Sequence, residues 1–376
     1  MHFVSTDSGE DKKMNRMYDV IVVGAGPGGS VAAKQCAERG LRTLLLEKKR
    51  LPRKKVCTGM VMGPWARAII EAEFGTIPDE VLVKPYRLSG HAIRVRGAVP
   101  QFVPCVTPIT WREDLDMWMV SRTKEKGVGV WDEVKVISFS QDEAGCVIRA
   151  MRGTHSVQLR SKFVIGADGA ASVVRAGVAP GLRMRYSTPL RFCYQGSLDV
   201  AQHYCHWFFP TCSVRPRFDL IHKGDGFLLE GSGLRVLKGE IAEILSPFGF
   251  EPGWKPTWKD GCVMPLLHAQ LLSGEFRPAE GNALLVGDAA GLVFPVTFEG
   301  IGAALKSGQL AAESVSEAAE SGVRASDVYM NRLGPVFRVI ARLQALEERL
   351  ARVGAEGPSV LALNLKAAYE EALQVA

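Results

Sequence analysis

The sequence predicts an α/β protein, and three observations carry that prediction. An apolar run from Tyr18 to Val23 meets the glycine turn Gly24-Ala25-Gly26-Pro27-Gly28-Gly29, a stretch of helical composition and a second apolar run from Thr43 to Leu46, which is the order of a parallel strand–helix–strand unit. Two later apolar runs end in comparable turns, Phe163 to Asp168-Gly169 and Ala283 to Gly287-Asp288. Between them, residues 191–259 hold many of the aromatics, and turns at Lys223-Gly224-Asp225-Gly226 and Glu230-Gly231-Ser232-Gly233 divide them into a mainly antiparallel sheet.

The first unit is the most specific. G-x-G-x-x-G stands between a strand and a helix that Ser30 to Arg39 would form, and Glu47 ends the second strand about twenty residues later. In that context Gly24 serves the tight turn, Gly26 admits a pyrophosphate against the backbone, and Gly29 lets helix and strand pack closely. Glu47 is placed to accept the hydroxyls of an adenosine ribose and to repel a 2′-phosphate.

A dinucleotide unit alone leaves NAD and FAD open, and the distant stretch from Gly287 to Gly302 separates them. An NAD enzyme has no need of a second cofactor segment so far downstream, whereas FAD extends from its adenosine to a ribityl chain and ring that need one. Asp288 would accept from ribityl hydroxyls, and a helix beginning near Glu299, with Gly300 and Ile301 at its start, would aim free N–H groups at a reduced ring. A Gly-Asp pair after a strand is also a common turn. Asp168 has two readings as well, a second loop facing the same cofactor or a cap on the following helix. Arg112 would contact the pyrophosphate or ribityl group, or form a surface ion pair with Asp116 at i+4.

Composition bounds the rest. With 47% apolar and 23% charged residues in 376, the chain is long enough for two domains with cores of their own. A net charge of +6 is too small and dispersed to argue for nucleic acid. Eight cysteines without a C-x-x-C pair favour reduced thiols in a cytosol. Residues 1–16 read as a disordered leader, and no stretch reaches the roughly 18 apolar residues of a membrane span.

The densest basic run, Lys48-Lys49-Arg50-Leu51-Pro52-Arg53-Lys54-Lys55, reads as a solvated loop or as a rim that guides an anion. Directly after it, Cys57 places a thiol in a small-residue loop. His203 and His206 stand three apart in a strand, on opposite faces, so no metal site is expected there. Helices are expected from Leu305 to Ala319, Val328 to Val353 and Leu361 to Val375; Arg338, Arg342, Arg349 and Arg352 give this region a basic face for solvent or for peripheral contact with an anionic membrane.

With these motifs in order, the sequence resembles the geranylgeranyl reductase family of para-hydroxybenzoate hydroxylase-like FAD proteins over roughly residues 17–315. The resemblance implies a Rossmann-like FAD-binding domain assembled from discontinuous segments (17–85, 105–185 and 275–315), a sheet-based substrate domain (86–104 and 186–274) and C-terminal helices (316–376). By position, Gly24, Gly26, Gly29, Glu47, Arg112, Asp168 and Asp288 match the family's FAD contacts, and Cys57 with Lys55 and Gly59 matches its Lys-x-Cys-x-Gly loop. Trp207-Phe208-Phe209-Pro210 matches its W-x-F-P cavity motif, which makes Trp207 and Phe209 pocket residues. Two positions depart from the pattern. Cys205 stands where the family has a cavity Tyr, with Tyr204 one residue out of register, and Phe298 stands where it has Gly.

The implied chemistry is hydride transfer from reduced flavin N5 to a C=C bond of an apolar, isoprenoid-like substrate, with Cys57 or Tyr204 supplying the proton. A flavin monooxygenase, including one acting on a residue of a partner protein, and a non-catalytic flavin or electron-relay protein are the alternatives. The electron donor would be NAD(P)H or a ferredoxin-like protein. For Phe298 the expectation is an ordinary negative φ with the ring directed at the flavin or pocket, the other reading placing it in the helix-packing core.

Overall fold

The computed structural model describes residues 17–210, 213–232, 238–251, 253–353 and 357–375; the expected leader, 1–16, lies outside them. Strand β1 (Tyr18–Val23) leads into helix α1 (Pro27–Glu38) and strand β2 (Thr43–Leu46). The helix opens at Pro27 rather than Ser30, because a proline's fixed φ suits a first turn that has no N–H partner to lose. Helix α2 (Gly63–Phe74), strands β3 (Leu82–Val95) and β4 (Gln101–Thr110) and helix α3 (Arg112–Lys124) follow. Next come β5 (Gly129–Trp131), β6 (Val134–Asp142), β7 (Gly145–Arg152) and β8 (His155–Gly166), with a tight turn between Asp142 and Gly145 joining β6 to β7.

The short helix α4 (Val173–Val178) precedes β9 (Arg185–Ser187), β10 (Pro189–Gln195), β11 (Tyr204–Phe209), β12 (Phe218–Lys223) and β13 (Gly226–Ser232). After them come α5 (Lys238–Leu245), β14 (Trp258–Gly261), β15 (Met264–Leu266), α6 (His268–Ser273), β16 (Ala279–Glu280) and β17 (Ala283–Leu285). The chain then turns helical, through α7 (Ile301–Ser321), α8 (Ala325–Arg332), α9 (Gly334–Val353) and α10 (Pro358–Val375).

Five strands from distant parts of the chain form one parallel array in the order β17, β8, β1, β2, β5, extended by the antiparallel β16, β7 and β6. The central strands β1 and β2 read as unbroken apolar runs because helices cover both faces of a parallel sheet. Helix α7 lies against α1 at backbone distance: a Cβ on Gly28 would sit 2.8 Å from the Ala304 carbonyl oxygen, and one on Gly308 would collide with the Gly28 carbonyl. The carboxyl ends of β1, β2, β8 and β17 therefore converge on one edge, although they lie up to some 260 residues apart in sequence.

A second sheet runs in the order β14, β10, β13, β12, β11, β3, β4, antiparallel except for the parallel pair β11 and β3. It starts earlier and ends later than residues 86–104 suggested, since β3 begins at Leu82 and β4 runs on to Thr110. Residues opposite each other in a ladder share a face. Asp260, Arg191, Glu230, Asp219, Trp207 and Ile93 form one such row across six strands, and the face they share looks at the parallel sheet. The other face carries Phe192, Leu220, Leu229, Phe208 and Phe218, which form a separate core with Ile241 and Leu245 of α5 and with Phe250.

The C-terminal region differs from expectation in two ways. Helix α7 runs through residue 316 to Ser321, and the single helix expected from Val328 is broken at Leu333-Gly334 into α8 and α9. Of the basic residues on this region, Arg342 and Arg349 lie 2.6 and 3.7 Å from Glu371 of α10, so part of that face is spent on pairing two helices.

Candidate active site

A cleft of about 530 Å³ opens at the convergent carboxyl ends of β1, β2, β8 and β17. It brings together Gly24, Gly26, Glu47, Cys57, Arg112, Asp168, Asp288, Phe298, Gly300 and Ile301. Gly29 lies behind the glycine turn, where any Cβ would strike the Gly24 carbonyl oxygen; this is the close helix–strand contact that a bulkier residue would prevent.

The nucleotide end is a chain of buried charges. Glu47 is 4% exposed; its Oε2 accepts from the Ala25 N–H at 3.1 Å and from Arg53 Nε at 2.8 Å, and its Oε1 from the Lys49 N–H at 3.0 Å. A carboxylate has about four lone-pair directions, so acceptor capacity remains for a ribose hydroxyl. Arg53 Nη1 also reaches Asp116 at 3.1 Å, and Arg112 grips Asp116 through Nε and Nη2 at 2.8 and 3.0 Å. The Arg112–Asp116 pair expected on the surface is thus buried, and Arg112 faces the cleft as well. Desolvation opposes the Arg112 charge, but Asp116 and the Cys57 thiol outweigh it and raise its pKa.

These residues fit the pyrophosphate of a dinucleotide. A Cβ at Gly26 would project between two guanidiniums, 3.7 Å from Arg53 Nη2 and 4.0 Å from Arg112 Nη2, so the missing side chain leaves bare backbone beside two fixed cations. Lys48, Lys49, Lys54 and Lys55 line the same cleft, which makes the basic run a rim of the site.

At the other end the loops after β8 and β17 are tied together. Asp168 accepts from Ser172 Oγ at 2.5 Å and from the Val173 and Val174 N–H groups at 2.6 and 3.3 Å, so it does cap α4 while lining the cleft. Burial raises its pKa against those donors. Arg175 donates to the carbonyls of Asp288 and Ala289, and Lys55 Nζ lies 3.5 Å from Asp288 Oδ2. Helix α7 starts at Ile301 rather than Glu299, because Glu299 turns its Oε1 back to the Gly302 N–H at 2.6 Å. Burial pushes the Glu299 carboxyl up to about 7.

Phe298 lines the cleft and is 38% exposed, but its φ is +53°, and Val296 has φ +71°. The expectation of an ordinary φ is corrected: the loop keeps a left-handed conformation at this position despite the bulky residue.

The Cys57 loop is held from the second sheet. Arg191 Nη1 donates to the Cys57 carbonyl, and Lys223 Nζ donates to the Thr58 and Thr110 carbonyls while sitting 3.7 Å from the Trp111 ring centre. Burial lowers the Lys223 pKa to about 7.

Three residues are not where the sequence put them. Tyr204 shares the far face of β11 with His206 and packs edge-on to Phe102, with centroids 5.1 Å apart; its assignment as a proton donor is corrected by register, since a one-residue step reverses the face. Cys205 takes the near face in its place. Trp207 and Phe209 are on the near face but do not line the cleft. They are 4% and 3% exposed and pack on Tyr369 of α10 at 5.3 and 6.2 Å. His206 directs its ring nitrogens to Arg94 and to the Ala201 carbonyl. Glu230, which the sequence placed at the start of a turn, is instead paired inside β13 and reaches the cleft. Its signal was present as the one ionisable residue in the apolar run Gly-Phe-Leu-Leu-Glu.

Comparison with known proteins agrees with this geometry. The model of an FAD binding domain matches residues 17–190. The chain is 30% identical over 321 residues to the digeranylgeranylglycerophospholipid reductase of Thermoplasma acidophilum, covering 81% of this chain and 79% of that one. To the chloroplastic geranylgeranyl diphosphate reductase of Arabidopsis thaliana it is 26% identical over 379 residues, covering 89% and 75%. A geranylgeranyl bacteriochlorophyll reductase-like protein from Thermoplasma acidophilum superposes with a TM-score of 0.72 at 20% identity, over 95% of this chain and 96% of that one. A probable FAD-dependent monooxygenase from Pseudomonas aeruginosa gives 0.71 at 16%, over 94% and 100%, and shares the fold. The glycine turn, the buried guanidiniums beside it and the distant Asp288 loop thus belong to an FAD-dependent enzyme, and the chain is a member of the geranylgeranyl reductase family of FAD-dependent oxidoreductases.

Proposed function

We propose that this protein reduces a C=C bond of an isoprenoid-like substrate. The observation that carries the reading is the change of character along the cleft: beyond the basic nucleotide end, its wall becomes Val263, Met264, Val293 and Phe298, with Cys57 and Glu230 among them. Held in this cleft in its reduced form, FAD would supply a hydride to a substrate lying against that wall. The apolar side chains exclude water and align an alkene, which is where most of the rate in a transfer between two held partners arises. Arg191 and Lys223 keep the Cys57 loop fixed against the same space. The reductase names of the sequence relatives support this over oxygen insertion.

NAD(P)H visiting transiently, or a small ferredoxin-like protein, supplies the electrons. No helix among the described residues is long and apolar enough to cross a membrane. The deciding experiment is anaerobic: the holoenzyme, reduced with dithionite, is mixed with geranylgeranyl diphosphate, and flavin reoxidation and saturated product are followed. Reoxidation without oxygen supports reduction; no reaction without oxygen, together with substrate-dependent oxygen uptake in air, would replace it with monooxygenation.

A further inference from the structure

Asp219 of β12 and Glu230 of β13 stand directly opposite each other in the ladder, on the face that looks into the cleft. The next residue in that row is Arg191, but its guanidinium is turned to Asp260, at 2.9 Å from Nε and 2.6 Å from Nη2, while Nη1 donates to the Cys57 carbonyl. Lys223 is likewise turned to two carbonyls. Two carboxyls side by side are therefore left without a hydrogen-bonded cation among the described residues. Asp219 is 6% exposed, and Asp219 Oδ1 and Glu230 Oε2 are both buried with no hydrogen-bond partner. Two adjacent carboxylates with buried, unpartnered oxygens do not both ionise, so the pair retains a proton.

We propose that the Asp219–Glu230 pair is the proton store of the reaction, and that Glu230 delivers its proton to the substrate carbon that does not receive the hydride. This deepens the reduction reading and rests on it. The balance is that of an alkene reduction: the C=C π bond breaks, one carbon gains a C–H bond from the hydride of reduced FAD, and the other gains one as the Glu230 O–H bond breaks. Flavin is oxidised by two electrons, the alkene is reduced by two, and the carboxylate that remains regains a proton from solvent before the next turnover.

The electrostatics agree with the geometry. Burial raises Asp219 well above the usual carboxylate range, and it raises Glu230 to about 7. The groups facing Glu230 are Asp219 and Lys223 on β12, Arg191 on β10, Asp260 on β14, and the thiols of Cys205 and Cys262; Arg191 and Lys223 pull its pKa down and Asp260 pushes it up.

The test has one arm that needs no turnover. Infrared difference spectra of the holoenzyme between about pH 5 and about pH 9 should show, beside that of Glu299, a second buried carboxyl stretch that titrates near neutrality and is missing in Glu230→Gln. In the second arm, with dithionite and geranylgeranyl diphosphate, Glu230→Gln should slow alkene reduction by about 100-fold or more at unchanged FAD occupancy, and the loss of rate on raising pH should disappear. Asp219→Asn, which takes away the partner that shares the proton, should shift that loss along the pH axis. A Glu230→Gln variant with full FAD, wild-type rate and wild-type pH profile overturns the proposal. Should the wild-type enzyme not reduce the probe at all, the reduction reading fails by itself, and the infrared arm still decides whether the pair holds a proton: an ionised Glu230 throughout the range overturns the store.

Discussion

Arg112 and Asp116, one turn apart on α3, form a two-pronged ion pair with the carboxylate only 1% exposed, and Arg53 reaches the same carboxylate from the loop after β2. One buried anion therefore holds two cations at the spot where Gly26 leaves the backbone bare. Asp116→Asn strands Arg112 and leaves Arg53 to Glu47 alone, and breaking a buried pair from one side costs about 3–5 kcal/mol. A bound pyrophosphate would return negative charge to them. The loss of stability should accordingly be larger in the apoprotein than in the FAD-loaded protein, read as the shift of denaturant midpoint with and without FAD; equal losses would place the cofactor's anion elsewhere.

Among the described residues Lys55 alone, at 3.5 Å, pairs with the Asp288 carboxylate, which is therefore available to a ligand hydroxyl. Asp288→Ala should weaken FAD binding by about tenfold, the equivalent of one charge-assisted hydrogen bond. Equilibrium dialysis of the apoprotein measures it. Unchanged affinity would reduce the Gly287-Asp288 turn to a structural one.

At Phe298 the side chain and the backbone pull in different directions. Its ring is on the cleft, 38% exposed, so removing it opens no core cavity, while its φ of +53° is one that a glycine adopts without strain. Phe298→Gly should therefore change stability by no more than about 1 kcal/mol, in place of the ~3 kcal/mol loss typical of a buried ring. It should also admit bulkier alkenes, which turnover across a series of prenyl chains would show. An unchanged substrate range would remove Phe298 from the pocket wall.

Glu299 makes a pH prediction with a definite sign. Burial raises its carboxyl from 4.5 to about 7, against the N–H groups at the start of α7. The folded state thus holds a proton that the unfolded state has released, and the stability this gives is full below 4.5 and lost as pH rises through about 7. Glu299→Gln keeps the oxygen facing Gly302 and cannot ionise. Its advantage over the wild type should grow across that window by at most about 3 kcal/mol, followed as denaturation midpoints over a pH series. A pH-independent difference would mean that the carboxyl is charged throughout.

What the sequence revealed was local. The strand, glycine turn and helix at Tyr18–Glu38, the acid at Glu47 and the Asp288 loop carry their roles in short-range spacing, and the glycine turn needs no partner to be recognised. Face and partner were not legible. Whether Tyr204 or Cys205 looks into the cleft depends on one residue of register between β11 and β3, which lie more than a hundred residues apart. Glu230 reads as the start of a turn until β12 brings Asp219 opposite and Arg191 is found paired with Asp260. The positive φ of Phe298 was hidden for a different reason: surrounding contacts hold a conformation that the residue itself disfavours.

The cover that Tyr369 lays over Trp207 and Phe209 also sets an order of events in the cell. On the ribosome the second sheet is complete long before residues 358–375 emerge, and until then the apolar half of its inner face has no lid. A nascent or prematurely ended chain would carry an FAD cradle already formed by β1, β2, β8 and β17 beside an open strip of tryptophan and phenylalanine. Such a strip is what chaperones and aggregation compete for, so the last helix decides whether the finished molecule stays free.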